Sequence, residues 1–179
     1  IKFEKNKNIK QKNTINFIIG GKSKNFKFDK TVQEKILNDI KILSQKYFVQ
    51  IIPSRRTPEI LIEKIKNNKI SNTDILINTN DPVKYGQFLS QSIANIVTWE
   101  SISMISESVY SGVGTFIYSF EKESLPKKYK NFHKDLMEKK YIKNFSINLT
   151  PFKTSINEDL SELKNNILYK INQSPIFNT

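Results

Sequence analysis

The sequence has no cysteine, a single histidine, a single tryptophan and only five glycines. The missing cysteine excludes a disulfide framework and any thiolate metal ligand or nucleophile. One histidine, His133, cannot build a His-based metal site, and no Ser or Asp stands at a spacing that would make a triad with it. It reads as a half-buried structural residue beside Phe132. No run of about 18 apolar residues occurs, which excludes a membrane-spanning helix. No charged-then-apolar leader is visible either. A cytoplasmic protein, peripheral at an inner membrane at most, is the expectation.

Arginine is scarcer than the charge suggests. The chain carries 29 basic residues against 17 acids, a formal net charge of +12, yet Arg55 and Arg56 are its two arginines. A composition rich in Lys, Asn and Ile is what an AT-rich genome writes, and under that drift an exposed positive charge becomes lysine. The planar five-donor fork of arginine has no lysine equivalent, because it alone grips phosphate or carboxylate bidentately. Arg55 and Arg56, in the segment "PSRRTP" with Ser54, are therefore candidate anion ligands. The competing reading is a surface salt bridge, which contributes little.

Lysine is spread more widely. Residues 1–12 carry five Lys and one Glu, and residues 121–144 eight Lys and four acids. Solvated surface lysine accounts for most of this, and attraction to acidic lipid headgroups is the second reading. Specific nucleic-acid binding is not expected, since no reading motif occurs and aromatics do not cluster with the lysines. The basic start, residues 1–13, reads as a linker from an upstream domain, followed by one α/β domain over 14–179.

Within that domain, strand-length apolar runs alternate with helical periodicity. Strands are expected at 14–21, 48–52, 74–78, 94–99 and 114–120. Helices are expected at 31–47, 58–67, from Asp81-Pro82 through Leu89, at 101–111 closed by Gly112, at 127–141 and at 158–172. Thr31 with Glu34 forms a capping box, Thr57 and Asn157 are helix caps, and Leu160, Leu163, Ile167, Leu168 and Ile171 face inward on the last helix. The alternation implies βαβ units, and so a Rossmann-like parallel sheet covered on both faces. Ligands of such sheets sit where βα loops converge at the carboxyl ends of the strands. Five segments fall there: "GGKSK", "PSRRTP", "TND", "ESIS" and "EKES".

Gly20, Gly21, Lys22 and Ser23 place backbone amides at a strand end, where a phosphate can approach. The spacing is neither a Walker loop nor GxGxxG, and a bare turn is the competing reading. Ser101 and Ser103 open a helix whose positive end favours an anion, with plain capping as the alternative. Glu107 follows on the same helix. It is either a ligand for ribose hydroxyls or a surface acid. Trp99 reads as core packing more than as a platform for a base.

"IGGKSKNFKF", "PSRRTP" and "IVTWESISMISESVYSG", in that order, resemble the elongated-mitochondria family of mitochondrial fission proteins over about residues 14–145. Bacterial members of that family are regarded as candidate GT-B glycosyltransferases. The resemblance implies the C-terminal, nucleotide-binding half of a two-domain enzyme taking a nucleotide-diphosphate sugar and a glycan or lipid-linked acceptor, with no metal or further cofactor. By similarity to UDP-sugar transferases, Ser101 and Ser103 would touch phosphate, Glu107 the ribose, and Gly20, Gly21 and Ser23 the pyrophosphate. The resemblance equally admits a non-catalytic adaptor at a membrane surface. Two departures stand out: Glu100-Ser101 where the family usually has Asp-Ser, and Gly112-Val113-Gly114 where it usually has Gly-Lys-Pro.

Overall fold

Ile15, Phe17, Ile18 and Ile19 are all buried, and so are Ala94, Ile96 and Val97. Apolar residues on both faces of a strand require cover on both faces, which places these two segments at the centre of a parallel sheet. The computed structural model describes residues 13–22, 26, 28–76, 82–120, 126–156, 158–162 and 165. Its elements are β1 (Thr14–Ile19), α1 (Lys30–Leu43), β2 (Phe48–Pro53), α2 (Glu59–Asn67), β3 (Thr73–Ile75), α3 (Pro82–Gln91), β4 (Ala94–Thr98), α4 (Ile102–Tyr110), β5 (Thr115–Tyr118), α5 (Lys127–Glu138) and β6 (Ile142–Asn144). They form one six-stranded sheet in the order β3-β2-β1-β4-β5-β6. Every pairing is parallel. The expected Rossmann-like α/β fold is what the chain adopts.

Crossovers of the usual right hand put α1 and α2 on one face, and α3, α4 and α5 on the other. The first face is pinned by a buried polar contact: the Tyr118 hydroxyl on β5 donates to Asp39 Oδ2 on α1 at 2.6 Å, and Lys35 closes on the same oxygen at 3.0 Å. Under the carboxyl edge, Trp99 packs edge-on against Phe26 and Tyr129, with ring centroids 5.4 Å apart in each pair. Trp99 is therefore core, as expected. His133 is buried, and its Nε2 donates to the Trp99 carbonyl at 3.1 Å, so it too is structural.

Several local expectations are corrected. The sixth strand was not foreseen, because three residues with Lys143 and Asn144 exposed carry no legible period. Helix α1 is capped two residues earlier than Thr31: Asp29 Oδ1 accepts from the Val32 N–H at 2.9 Å, replacing the Thr31–Glu34 box. Thr57 does not cap α2, whose N-cap is Pro58, because its hydroxyl is drawn to the end of β1. Ile156 is helical and the Ser155 carbonyl accepts from the Asp159 N–H at 3.0 Å, while Asn157, expected as the cap of the last helix, lies outside the described residues. Leu160, expected inward, is 37% exposed. Gly112 does close α4, with φ of 77°, a conformation that suits glycine. Residues 1–12, 23–25, 27, 77–81, 121–125, 157, 163–164 and 166–179 lie outside the described residues, and with them the expectations for Ser23, "TND", "EKES", Leu163, Ile167, Leu168 and Ile171.

Candidate functional site

Strand order reverses direction between β1 and β4. From β1 the chain steps outward through β2 to β3, and from β4 it steps the other way through β5 to β6. At such a point two successive βα loops leave the sheet in opposite directions and open a crevice beyond the strand ends. The walls here are Gly20 to Lys22 after β1 and Trp99 to Ser101 after β4, with Ser54 to Thr57 after β2 closing one side.

These three loops are tied together tightly. The Gly20 N–H donates to Thr98 Oγ1 at 2.8 Å, and the Thr98 hydroxyl donates to Glu100 Oε1 at 3.0 Å. Thr57 Oγ1 lies 2.8 Å from the Ile19 carbonyl and 2.6 Å from that of Gly20, sharing its proton between them, and accepts from the Ser54 N–H at 2.9 Å. The Lys22 N–H donates to the Arg56 carbonyl at 3.3 Å. A β-carbon at position 20 would collide with the Glu100 carboxylate, and one at position 21 with the Arg56 backbone. The double glycine is thus required by close packing of three loops. The amides of Gly20 and Lys22 are already used, so the phosphate cradle expected of "GGKS" is not free in this form.

The donors that do remain free are at α4. Ser101 stands at the N-cap of this helix, is buried, and makes no side-chain cap bond. The first amides of a helix have no partner within it, so those of the α4 first turn are available to an anion. Ser103 and Glu107 lie on the exposed side of α4. Neither is brought into the knot of contacts around Gly20 and Gly21. Arg55 and Arg56 are exposed, and the ion pairs among the described residues are all formed by lysines. The surface-salt-bridge reading of the arginines therefore has no partner to support it among the described residues. Arg56 is held to the crevice by its backbone contact with Gly21 and Lys22, and its charge reaches Glu100.

The mitochondrial fission ELM1 profile matches residues 2–166. The chain belongs to that family. Among its relatives is the uncharacterized protein RP120 of Rickettsia prowazekii (strain Madrid E), 33% identical over 159 residues. The alignment covers 82% of this chain and 43% of that protein, so the chain spans less than half the length of its curated relative. No solved structure matches it.

Two residues of this ELM1-family chain were not given roles by their positions in sequence. Glu100 is 3% exposed. Burial pushes its carboxyl up to about 7, against the pull of Thr98, of the Gly21 and Glu100 amides and of Arg56. Oε2 is buried with no hydrogen-bond partner. An acid directly after the expected strand "ANIVTW" at 94–99 was the available signal. Tyr85 on α3 is the second. Its buried hydroxyl finds no hydrogen-bond partner although Glu107 lies near enough to oppose its ionisation. Glu107 is itself raised, by partial burial.

Among the described residues no group of three or more His, Cys, Asp or Glu could hold a metal ion, and no helix is long and apolar enough to cross a membrane. A pocket of about 480 Å³ exists, but at the amino end of the sheet, lined by Ser92, Ser111, Phe152 and Thr154 among others. In folds of this kind the chemistry gathers at the carboxyl edge, so the crevice between β1 and β4 is the better candidate.

Proposed function

We propose that this chain is the nucleotide-binding half of a GT-B-type glycosyltransferase that takes a nucleotide-diphosphate sugar. The observation carrying this reading is the reversal of strand order between β1 and β4, which brings Gly20, Gly21, Arg56, Ser101 and the uncapped start of α4 to one crevice. Negative charge grows on the departing diphosphate as the glycosidic bond breaks. Donors fixed in advance near it, here the α4 amides, the Ser101 hydroxyl and the guanidinium of Arg56, lower that barrier. Arg55 and Lys22 add exposed positive charge at the mouth. Ser54 positions the loop, donating its N–H to the Ile19 carbonyl at 2.9 Å. A general base and the acceptor site, for a glycan or a lipid-linked sugar, are assigned to residues outside this chain.

Calorimetric titration with UDP, GDP and ADP tests this reading. Binding of at least one nucleotide is expected, weakened about tenfold or more, roughly 1.4 kcal/mol, by Arg55→Lys with Arg56→Lys. No binding by any of the three, or no loss in the double variant, contradicts it.

A second reading, an adaptor at an acidic membrane surface, is favoured by one observation: Lys127, Lys128, Lys130 and Lys134 are all exposed on α5. It predicts co-sedimentation with phosphatidylserine vesicles that charge reversal of these lysines abolishes and nucleotides leave unchanged. Sedimentation that ignores the charge reversal contradicts it.

A further inference from the structure

Glu100 is buried two residues before Ile102, the first residue of α4, whose free amides are the proposed anion ligands. Its Oε1 fills the volume that a side chain at position 20 would take and accepts from Thr98, while Oε2 is closed off and unpartnered. A carboxylate with one oxygen unpaired is costly in such surroundings, whereas a protonated carboxyl is not. A second negative charge at the start of α4 would sharpen that difference.

We propose that Glu100 takes up one proton when a diphosphate binds at the start of α4, so that this site accepts its anion together with a proton. This rests on the reading of the crevice as an anion site given above. The charged groups around Glu100 fit the assignment. Arg56, from the β2–α2 loop, is the cation whose field reaches it, and it favours the ionised form before the ligand arrives. A bound diphosphate competes for Arg56 and withdraws that support. His133, from α5, donates to the neighbouring Trp99 carbonyl and is lowered by burial, so it brings no positive charge at neutral pH. Lys22, which follows Gly21, is exposed and screened by solvent.

Burial pushes the Glu100 carboxyl up to about 7, which sets the window. Below that the proton is already present and binding is unaffected. Above it, affinity falls as pH rises, by up to about tenfold per pH unit, until the higher value of the bound state is reached.

The test is calorimetry with inorganic pyrophosphate on the chain and on Glu100→Gln, at pH 6 and pH 8.5, in buffers of different ionisation enthalpy. Glutamine keeps the shape of the neutral acid, so the variant should bind as the parent does at pH 6 and about tenfold or more tighter at pH 8.5, without the parent's extra proton uptake. The ligand's own ionisation cancels between the two proteins. Should the variant not fold, the carboxyl carbon resonance of Glu100 in the labelled parent serves instead, its titration midpoint moving upward on adding pyrophosphate. Equal binding and equal proton uptake at pH 8.5, or an unmoved midpoint, overturns the assignment while leaving the anion site standing. Absence of pyrophosphate binding at both pH values overturns both.

Discussion

The carboxyl of Glu100 occupies the space that a side chain on Gly20 would need. A β-carbon at position 20 would strike Glu100 Oε1 and come within 3.0 Å of Thr98 Oγ1. Gly20→Ala should therefore cost about 1–3 kcal/mol, the usual penalty of overpacking a filled site. Because the obstacle is one side chain, Glu100→Ala should relieve much of it. A double-mutant cycle by urea denaturation is expected to give a favourable coupling of about 1 kcal/mol or more. Strict additivity would mean that the two groups do not share this space. At Gly21 the obstacle is the Arg56 backbone, and no such rescue is expected.

Stability should carry the mark of Glu100 in its pH dependence. Its carboxyl rises from the ordinary 4.5 to about 7 on folding. A group raised in the folded state contributes stability that is intact below about pH 4.5 and lost as pH climbs through about 7, here up to about 3 kcal/mol. His133 is lowered by burial, so its contribution runs the other way and is lost as pH falls. Glu100→Gln should remove the Glu100 branch and leave those of His133 and of Glu107, whose carboxyl is also raised by burial. Denaturation midpoints between pH 4.5 and 8 should show the variant gaining on the parent as pH rises, and parallel curves would refute this.

Thr57 tests what holds the crevice shut. Its hydroxyl bridges the carbonyls of Ile19 and Gly20 and accepts from the Ser54 amide, in a buried position. Thr57→Val keeps the shape and leaves the Gly20 carbonyl without this donor. A loss of about 1–3 kcal/mol is expected, with hydrogen exchange accelerated at Ser54 and Lys22. A Ser at this position should restore most of it. A cap for α2 would not behave so, since that helix takes no side-chain cap bond.

Much of the fold was legible from the sequence. Val32, Ile36, Ile40 and Leu43 recur at helical spacing and are buried on α1. The apolar run of β1 is buried from Ile15 onward. The missed strand, β6, has one buried residue, Ile142, and its pairing to β5 is a tertiary matter that no local pattern records. The contacts around the candidate site were less legible. Gly20 and Gly21 look like an amide cradle in sequence because glycine permits a close approach, but sequence does not say what approaches. In the fold it is Glu100 and the Arg56 backbone. Thr57 looked like a cap because it precedes a proline, and its longer-range partners on β1 win. The scarcity of arginine drew notice to the β2–α2 loop, and the Arg56 carbonyl there does meet the Lys22 amide at the edge of the crevice.

The central claim is that an anion binds at the carboxyl edge between β1 and β4. Amide chemical-shift mapping during a pyrophosphate titration tests it most directly. The largest changes should fall on Gly21, Ser101, Ile102 and Ser103, with smaller ones at Arg56. Changes gathered instead at Ser92, Ser111 and Phe152, around the pocket at the amino edge, or scattered over the exposed lysines of α5, would contradict it.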